Sequence, residues 1–176
     1  KYLDAAAKEQ PQNAEIPYMI GRSYADMFNY KLAIPFYQKA VELDGTKYGW
    51  LYELGLIYYS QNDSKNALKY IREAGDKGYP KDNGYMQNLG IAYIDAGNFD
   101  NGITVLTELL KKRPSDVNLL DLIAQSYYEG KKYDNAMNYW DTILGQDKTN
   151  ASALYMIGMC YIKKGDKAKG SQLCDK

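Results

Sequence analysis

The chain contains no histidine and only two cysteines, Cys160 and Cys174, among its 176 residues. Histidine is the commonest general base and the commonest zinc ligand, so its absence argues against hydrolase chemistry. The two cysteines have no metal-ligand spacing and are too few for a disulfide framework. Since the sequence also carries no nucleophile motif, we predict that the chain is not an enzyme and that it needs no metal or cofactor.

A net charge and long apolar runs are also missing. Basic and acidic residues number 22 each, which gives a formal net charge of zero. A neutral chain has no overall field to attract nucleic acid, so nucleic acid is not an expected partner. No apolar run is long enough to cross a bilayer, so direct membrane insertion is not expected either. The chain starts at Lys1 rather than at methionine, so an upstream leader could have been removed. The sequence therefore does not predict the compartment in which the protein works.

What the sequence does contain is a repeat with a period of 34 or 35 residues. The anchors of five copies are Gly21, Gly55, Gly90, Ala124 and Gly158. Around each anchor, a bulky residue lies four positions before, an aliphatic residue one before, and a tyrosine three after. The tyrosines are Tyr24, Tyr58, Tyr93, Tyr127 and Tyr161. A small residue and a larger one follow, as in the pairs Ala33 with Tyr37 and Ala136 with Trp140.

This pattern predicts paired helices A and B in every copy. A small anchor lets helix A pack closely on its own helix B, where a residue such as Ala33 lies opposite. The repeated tyrosines then fill the space between hairpins, so each copy completes its core by stacking on the next. We therefore expect Tyr58→Ala or Tyr93→Ala to cost about 3 to 5 kcal/mol.

The helices and turns can be placed from the period and from the turn residues, and no strand is needed. The predicted A helices span 14–27, 48–61, 84–96, 117–129 and 151–164, and the predicted B helices span 30–43, 64–77, 99–112 and 133–145, with a further B helix starting near Lys167. Turns between A and B are predicted at 62–64, 96–98, 129–131 and 164–166.

The pattern resembles the tetratricopeptide repeat family, whose 34-residue unit carries a bulky residue, Leu-Gly and Tyr on helix A, then Ala and an aromatic residue on helix B. The first position is never Trp here, and only Pro11 and Pro114 supply the closing proline. The resemblance implies an all-α fold, a right-handed α-solenoid of helix-turn-helix repeats that forms a single array over residues 1–176. Its repeats are 14–47, 48–82, 83–116, 117–150 and a truncated 151–176, after the end of a preceding repeat at 1–13. The incomplete ends suggest a piece of a longer protein.

In that family, ligands lie along a concave groove lined by variable positions of the A helices. The resemblance therefore implies a groove lined by Tyr18, Arg22, Tyr52, Leu56, Tyr59, Gln87, Ile91, Asp121, Gln125, Tyr128, Tyr155 and Met159. Tyrosine offers a large contact area and a hydroxyl, which suits a binding surface. The alternative is that tyrosine is common in this chain, at 19 residues, and that the groove tyrosines pack on the next A helix.

The function implied is a protein–protein interaction scaffold that binds a peptide or a partner helix of unknown identity. The alternative is a regulatory or structural arm of a larger enzyme or envelope protein whose active part lies outside this chain. Replacing Tyr52 and Tyr59 together with alanine is expected to weaken capture of the partner and to leave helicity intact.

The sequence also bears on two narrower hypotheses, a carboxylate clamp and a disulfide. Some family members clamp the C-terminal carboxylate of chaperones with lysine, asparagine and arginine side chains. The matching positions here are Tyr18, Arg22, Glu53, Gly84 and Asn88, so such a clamp is not expected.

Cys160 and Cys174 fall on adjacent helices, where they either form a disulfide or remain two inert thiols, and we favour the thiols.

Overall fold

The computed structural model describes residues 9–175, and this range is all-α, with ten helices and no strand. The helices are α1 Glu15–Asp26, α2 Tyr30–Leu43, α3 Tyr48–Ser60, α4 Ser64–Asp76, α5 Asn83–Asp95, α6 Phe99–Lys112, α7 Val117–Glu129, α8 Tyr133–Gln146, α9 Ala151–Lys163 and α10 Lys167–Cys174. The nine helices for which both ends were predicted begin and end within one residue of the predicted bounds. The predicted end of a preceding repeat falls mainly on residues 1–8, which lie outside the described residues.

The residue contacts divide the chain into two compact units, Lys1–Ala96 and Gly97–Lys176. The first unit contains α1 to α5, and the second contains α6 to α10. In the first, a core of Ala33, Tyr37, Leu54, Tyr58 and Ala67 joins consecutive hairpins. In the second, the core is built around Trp140, which is completely buried together with Ala124, Ala136 and Cys160.

Each A helix ends in a turn that contains one residue in the left-handed region. These residues are Phe28, Asn62, Gly97, Lys131 and Gly165, with φ of 57°, 57°, 78°, 60° and 99°. Glycine adopts this conformation without steric cost and asparagine tolerates it, which is why these residue types identify turns in the sequence. All four predicted turns contain such a residue and are confirmed. The turn at Phe28 was not predicted, because it has neither glycine nor asparagine at its left-handed position or just before it.

Five helices begin at an acidic or amide side chain that caps the first turn. Asp63, Asp82, Asp116, Asn150 and Asp166 each accept a hydrogen bond from the backbone nitrogen three residues later, at 2.8 to 3.1 Å. The cap satisfies a backbone donor that has no partner within the helix, and such caps contribute about 1 kcal/mol each.

The close approach of the paired helices at the anchor glycines is confirmed. A Cβ atom on Gly55 would lie 2.9 Å from the backbone nitrogen of Ile71, and one on Gly158 would lie 2.8 Å from the carbonyl oxygen of Gly170. Both distances are shorter than van der Waals contact allows. A larger side chain at these anchors would therefore push helix A away from helix B.

Three of the repeated tyrosines also stack within their own hairpins, which the pattern did not predict. Tyr24, Tyr58 and Tyr127 stack on Phe36, Tyr70 and Tyr139, with ring centroids 5.7, 5.5 and 5.6 Å apart. Each partner lies on helix B of the same hairpin, twelve residues later. Within residues 9–175, Tyr58 is the one of these three that also bonds to the preceding repeat, where its hydroxyl accepts a hydrogen bond from Gln38 Nε2 at 2.9 Å. Since Tyr93 is only half-buried, we expect its truncation to cost less than that of Tyr58.

Candidate functional site

The A helices of the first unit, α1, α3 and α5, are linked to one another by side-chain hydrogen bonds. Tyr18 Oη on α1 donates to Glu53 Oε1 on α3 at 3.3 Å, and Asn88 Nδ2 on α5 donates to Tyr52 Oη on α3 at 2.7 Å. The predicted groove residues of these helices recur three or four positions apart, so on each helix they share one side. We call the side of α1, α3 and α5 that carries them the A face.

On α1, Tyr18 is held by neighbouring groups. Its ring stacks on Trp50 at 4.5 Å with an interplanar angle of 14°, and Arg22 Nη1 donates to its hydroxyl at 3.4 Å. Burial raises the pKa of Tyr18, and the charge of the Glu53 carboxylate raises it further. Tyr18 therefore joins two repeats, while the guanidinium of Arg22 remains exposed beside it.

Glu53 was not among the predicted groove residues. Its Oε1 accepts from Tyr18 at 3.3 Å, and its Oε2 accepts from Tyr37 Oη at 2.7 Å. Burial and the hydrogen bond to Glu53 raise the pKa of Tyr37 well above its ordinary value. Two hydroxyl donors, which carry no positive charge, thus hold this carboxylate on the A face. The signal that could have found Glu53 is its place next to a groove position, on the side facing the preceding repeat.

Tyr52 is 9% exposed and belongs to the core rather than to an open surface. Its ring stacks on Tyr79 at 4.3 Å and lies 5.8 Å from the ring of Tyr85. Truncating it would remove these contacts and leave Asn88 without its hydrogen-bond partner. Alanine at position 52 would open a cavity in the first unit, so we now expect the Tyr52 and Tyr59 double variant to destabilise that unit as well as to weaken capture.

The accessible part of the A face lies between α3 and α5. Leu56, Tyr59, Asn88 and Ile91 line a hollow of about 40 Å³ with Ile71 at its base. We call it the Tyr59 hollow. Tyr59 is 43% exposed, whereas Leu56 and Ile91 are half-buried. Three predicted groove residues therefore meet in one place, together with Asn88, which the groove prediction omitted. A fourth predicted residue, Gln87, is half-buried on α5.

In the second unit, two predicted groove residues bond to each other. Asp121 Oδ2 accepts from Gln125 Nε2 at 2.6 Å, and Asp121 Oδ1 accepts from the indole nitrogen of Trp140 at 2.7 Å. Trp140 is completely buried, so its indole donor needs a partner inside the protein. Asp121 supplies that partner, which gives it a structural role.

The remaining predicted groove residues of the second unit are aromatic or aliphatic. Tyr128 lies edge-on to Tyr133 and Trp140, at centroid distances of 5.4 and 6.1 Å, and burial raises its pKa. Tyr155 is 49% exposed on α9, and Met159 is half-buried one turn later. Tyr155 is thus the most accessible predicted tyrosine of this unit.

The two cysteines are free thiols in different surroundings. Cys160 is completely buried in the core around Trp140, and burial raises its pKa to about 11. Cys174 is partly exposed on α10, with its sulfur 3.7 Å from the carbonyl oxygen of Tyr155. A thiol with a raised pKa is a poor nucleophile at neutral pH, so Cys160 is expected to be inert.

Over residues 9–175, no group of three or more His, Cys, Asp or Glu side chains is placed to hold a metal ion. Within the same range, no helix is both long and apolar enough to cross a bilayer. The A face therefore offers apolar and aromatic surface, amide groups and fixed carboxylates, which are groups suited to binding another chain.

Two family models match the sequence. The tetratricopeptide repeat model matches residues 14–47 and 51–74, and the model of the anaphase-promoting complex, cyclosome, subunit 3 matches residues 95–175. Among solved structures, the chain is similar to YrrB, a TPR protein with an unusual peptide-binding site. The TM-score is 0.73 at 19% identity, over 99% of this chain and 90% of that one.

Two curated proteins are similar in sequence. General transcription factor 3C polypeptide 3 of Homo sapiens is 26% identical over 138 residues, which are 75% of this chain and 16% of that protein. BBSome complex member BBS4 of Bos taurus is 24% identical over 163 residues, which are 89% of this chain and 30% of that protein. The chain thus spans less than a third of the length of either relative.

The anchor glycines, the hairpins and the matched models lead to the same assignment. The fold is that of a helical-repeat solenoid, and such repeats are generally non-catalytic modules that bind other proteins. The chain belongs to the tetratricopeptide repeat family.

Proposed function

We propose that this scaffold binds a peptide segment of a partner protein at the Tyr59 hollow on the A face of the first unit. The observation that carries the proposal is that Tyr59, Leu56 and Ile91 come together around a hollow while Tyr59 stays 43% exposed. Within the described residues, the ring of Tyr59 stacks on no other ring, unlike the rings of Tyr18 and Tyr52.

The size of the hollow limits what can enter it. At about 40 Å³ the hollow is small, a few times the roughly 10 to 15 Å³ that one water molecule needs. It therefore fits the tip of one aliphatic side chain. Asn88, whose amide nitrogen already bonds to Tyr52, lies at the rim with an oxygen that can accept a hydrogen bond from a peptide N–H group.

The binding energy would come mainly from covering Tyr59. Tyrosine presents a large rigid surface with little rotamer entropy to lose, which makes it effective at interfaces. The similar fold of YrrB, a TPR protein with an unusual peptide-binding site, supports a peptide as the kind of partner.

A random twelve-residue peptide library displayed on phage tests this proposal. The chain, its Tyr59→Ala variant and its Tyr48→Ala variant are used as parallel baits. Tyr48 is the matched control, because it lies on the same helix and is 40% exposed. Both variants remove a partly exposed ring and are expected to fold.

We expect peptides that are recovered by the parent chain and by the Tyr48→Ala variant and lost with the Tyr59→Ala variant. Recovery of the same peptides by all three baits would place the site elsewhere. If the parent chain enriched no peptide at all, the proposed function would be wrong.

A further inference from the structure

Charge is distributed unevenly between the helices of the first unit, although the whole chain is neutral. The A helices α1, α3 and α5 carry four acidic residues and one basic residue: Glu15, Asp26, Glu53 and Asp95 against Arg22. The B helices α2 and α4 carry five basic and three acidic residues: Lys31, Lys39, Lys65, Lys69 and Arg72 against Glu42, Glu73 and Asp76. The A helices of this unit are therefore acidic and its B helices basic.

The acidic residues of the two helix sets also differ in their partners. On the B helices, Glu42 pairs with Lys39 at 3.3 Å and Glu73 pairs with Lys77 at 3.0 Å, whereas Asp76 forms no ion pair with any described residue. On the A helices, Glu15 pairs with Lys47 at 3.1 Å. The other three A-helix carboxylates, those of Asp26, Glu53 and Asp95, form no ion pair with any described residue.

Two of these carboxylates lie within one helical turn of the Tyr59 hollow. Glu53 precedes Leu56 by three residues on α3, and Asp95 follows Ile91 by four residues on α5. Residues spaced three or four apart on a helix are neighbours on its surface. The hollow is thus flanked by an acidic residue on each of the two helices that form it.

These two carboxylates have no ion-pair partner among the described residues. Glu53 accepts hydrogen bonds from the two tyrosine hydroxyls described above, while the guanidinium of Arg22 donates to Tyr18 and acts on Glu53 through its charge alone. Asp95 is exposed on α5, and partial desolvation raises the pKa of its carboxyl group. A basic group brought by a ligand would stabilise both charges.

We propose that the partner segment is basic as well as apolar, with one aliphatic side chain in the Tyr59 hollow and lysine or arginine side chains that reach Glu53 and Asp95. This inference rests on the proposed function and adds the chemical class of the partner. An acidic segment would place like charges against both carboxylates, and opposite potentials are what guide specific association.

The library selection described above tests the inference through the composition of the recovered peptides. Among peptides that depend on Tyr59, we expect lysine and arginine to be enriched over the unselected library, close to a leucine, isoleucine or valine. Recovery of Tyr59-dependent peptides that are neutral or acidic would overturn this inference and leave the proposed function standing. Failure to recover Tyr59-dependent peptides would instead count against the proposed function.

A binding measurement then tests whether the carboxylate of Asp95 contributes to peptide binding. The most enriched peptide, labelled with a fluorophore, is titrated with the chain and with the Asp95→Asn and Glu73→Gln variants. Since exposed ion pairs contribute about 0.4 to 1 kcal/mol, Asp95→Asn is expected to weaken binding about two- to fivefold. Glu73→Gln removes a carboxylate of helix α4 and is expected to have no effect. Equal affinities for all three proteins, unchanged by added salt, would contradict the inference.

Discussion

The two units join their neighbouring repeats through different chemistry. In the first unit aromatic rings cross from repeat to repeat, as in the stack of Tyr18 on Trp50 at 4.5 Å, beside one exposed ion pair between Lys47 and Glu15. In the second unit, exposed ion pairs join adjacent turns: Lys132 Nζ lies 2.6 Å from Asp100 Oδ1, and Lys164 pairs with Asp134 in the same way one repeat later. One repeat pattern therefore accommodates two kinds of contact between its copies.

The difference shows which contacts the repeat determines and which it leaves open. Small residues at the anchors are required in both units, because the backbones approach closely there. The residues between repeats are free to be aromatic or charged. Aromatic pairs contribute about 0.5 to 1.5 kcal/mol beyond the area they bury, whereas exposed ion pairs contribute about 0 to 1 kcal/mol. The second unit must therefore rely on its core, around Trp140.

Trp140→Ala is expected to cause the largest loss of stability, and to cause it in the second unit. Removing a fully buried indole leaves a cavity, and Asp121 loses its donor, so we expect a loss of about 3 to 5 kcal/mol in the stability of the second unit. Trp50 and Trp140 are the only tryptophans, one in each unit. The fluorescence of Trp50 during urea unfolding therefore reports on the first unit, and circular dichroism reports on both.

The control for this variant is Trp140→Phe, which keeps most of the packing and loses the hydrogen bond to Asp121. Its loss of stability should be clearly smaller than that of Trp140→Ala. If the two variants were equally stable, the hydrogen bond rather than the buried volume would hold the second core.

Gly55→Ala is expected to have the next largest effect. The added methyl group would lie 2.9 Å from the backbone of Ile71, and overpacking of this kind costs about 1 to 3 kcal/mol. Gly49 on the same helix has open space around it, so Gly49→Ala is the matched control. That variant should be neutral or stabilised by up to about 1 kcal/mol, since alanine favours a helix more than glycine does. Equal urea midpoints for both variants would contradict the close approach.

The sequence predicted the fold closely for a physical reason. The anchor glycines, the repeated tyrosines and the turn residues recur with one period. Each copy therefore predicts the helix ends at the same positions of the repeat. The turn at Phe28 was missed because a bulky residue occupies the left-handed position there, with φ of 57°. Phe28 is 79% exposed, and the backbone hydrogen bond from Asn29 N to the carbonyl oxygen of Tyr24, at 2.9 Å, closes the turn there; the residue type at position 28 does not indicate it.

The first unit should also lose stability at high pH because of its buried tyrosines. Burial raises the pKa of Tyr85 from 10.0 to about 12, and Tyr85 is only 2% exposed. A raised pKa means that the folded state favours the neutral hydroxyl. Its contribution is complete below pH 10 and is lost as the pH rises through about 12. Urea unfolding of a Trp140→Phe background, in which Trp50 is the sole tryptophan, followed by fluorescence between pH 8 and pH 12, measures this loss.

Tyr85→Phe sharpens the alkaline prediction, because phenylalanine keeps the ring and cannot ionise. The variant gives up the hydrogen bond of the Tyr85 hydroxyl to the carbonyl oxygen of Ile71, at 3.2 Å, so it should be less stable than the parent at pH 8. Its stability should nevertheless fall less steeply above pH 10. An equally steep fall would show that other groups control the alkaline transition.

Lys132→Ala is expected to have the smallest effect. The pair with Asp100 is half-exposed or more on both sides, and such pairs contribute less than about 1 kcal/mol. The difference from the parent should shrink further in 0.5 M salt, because salt screens exposed charges. Lys148→Ala, in the exposed loop after α8, is the control. A loss above about 2 kcal/mol, measured by urea unfolding, would mean that the turns of the second unit depend on this ion pair.

The proposed binding surface was predicted less completely than the fold. Family positions identified Leu56, Tyr59 and Ile91, which do meet in one hollow. They also included Tyr52 and Asp121, which the structure uses for packing and for the indole of Trp140. The repeat gives the side of the helix on which a residue lies. Whether a tyrosine there is open or covered depends on its neighbours in the adjacent repeat, and the period alone does not encode that.

Amide hydrogen exchange, with and without the most enriched peptide, tests the central claim most directly. If the partner binds at the Tyr59 hollow, the peptide should slow exchange in α3 around Leu56 and Tyr59 and in α5 around Asn88 and Ile91. The B helices α2 and α4 should change little. Protection confined to α2 and α4, or to the second unit, would contradict the assignment of the hollow as the binding site.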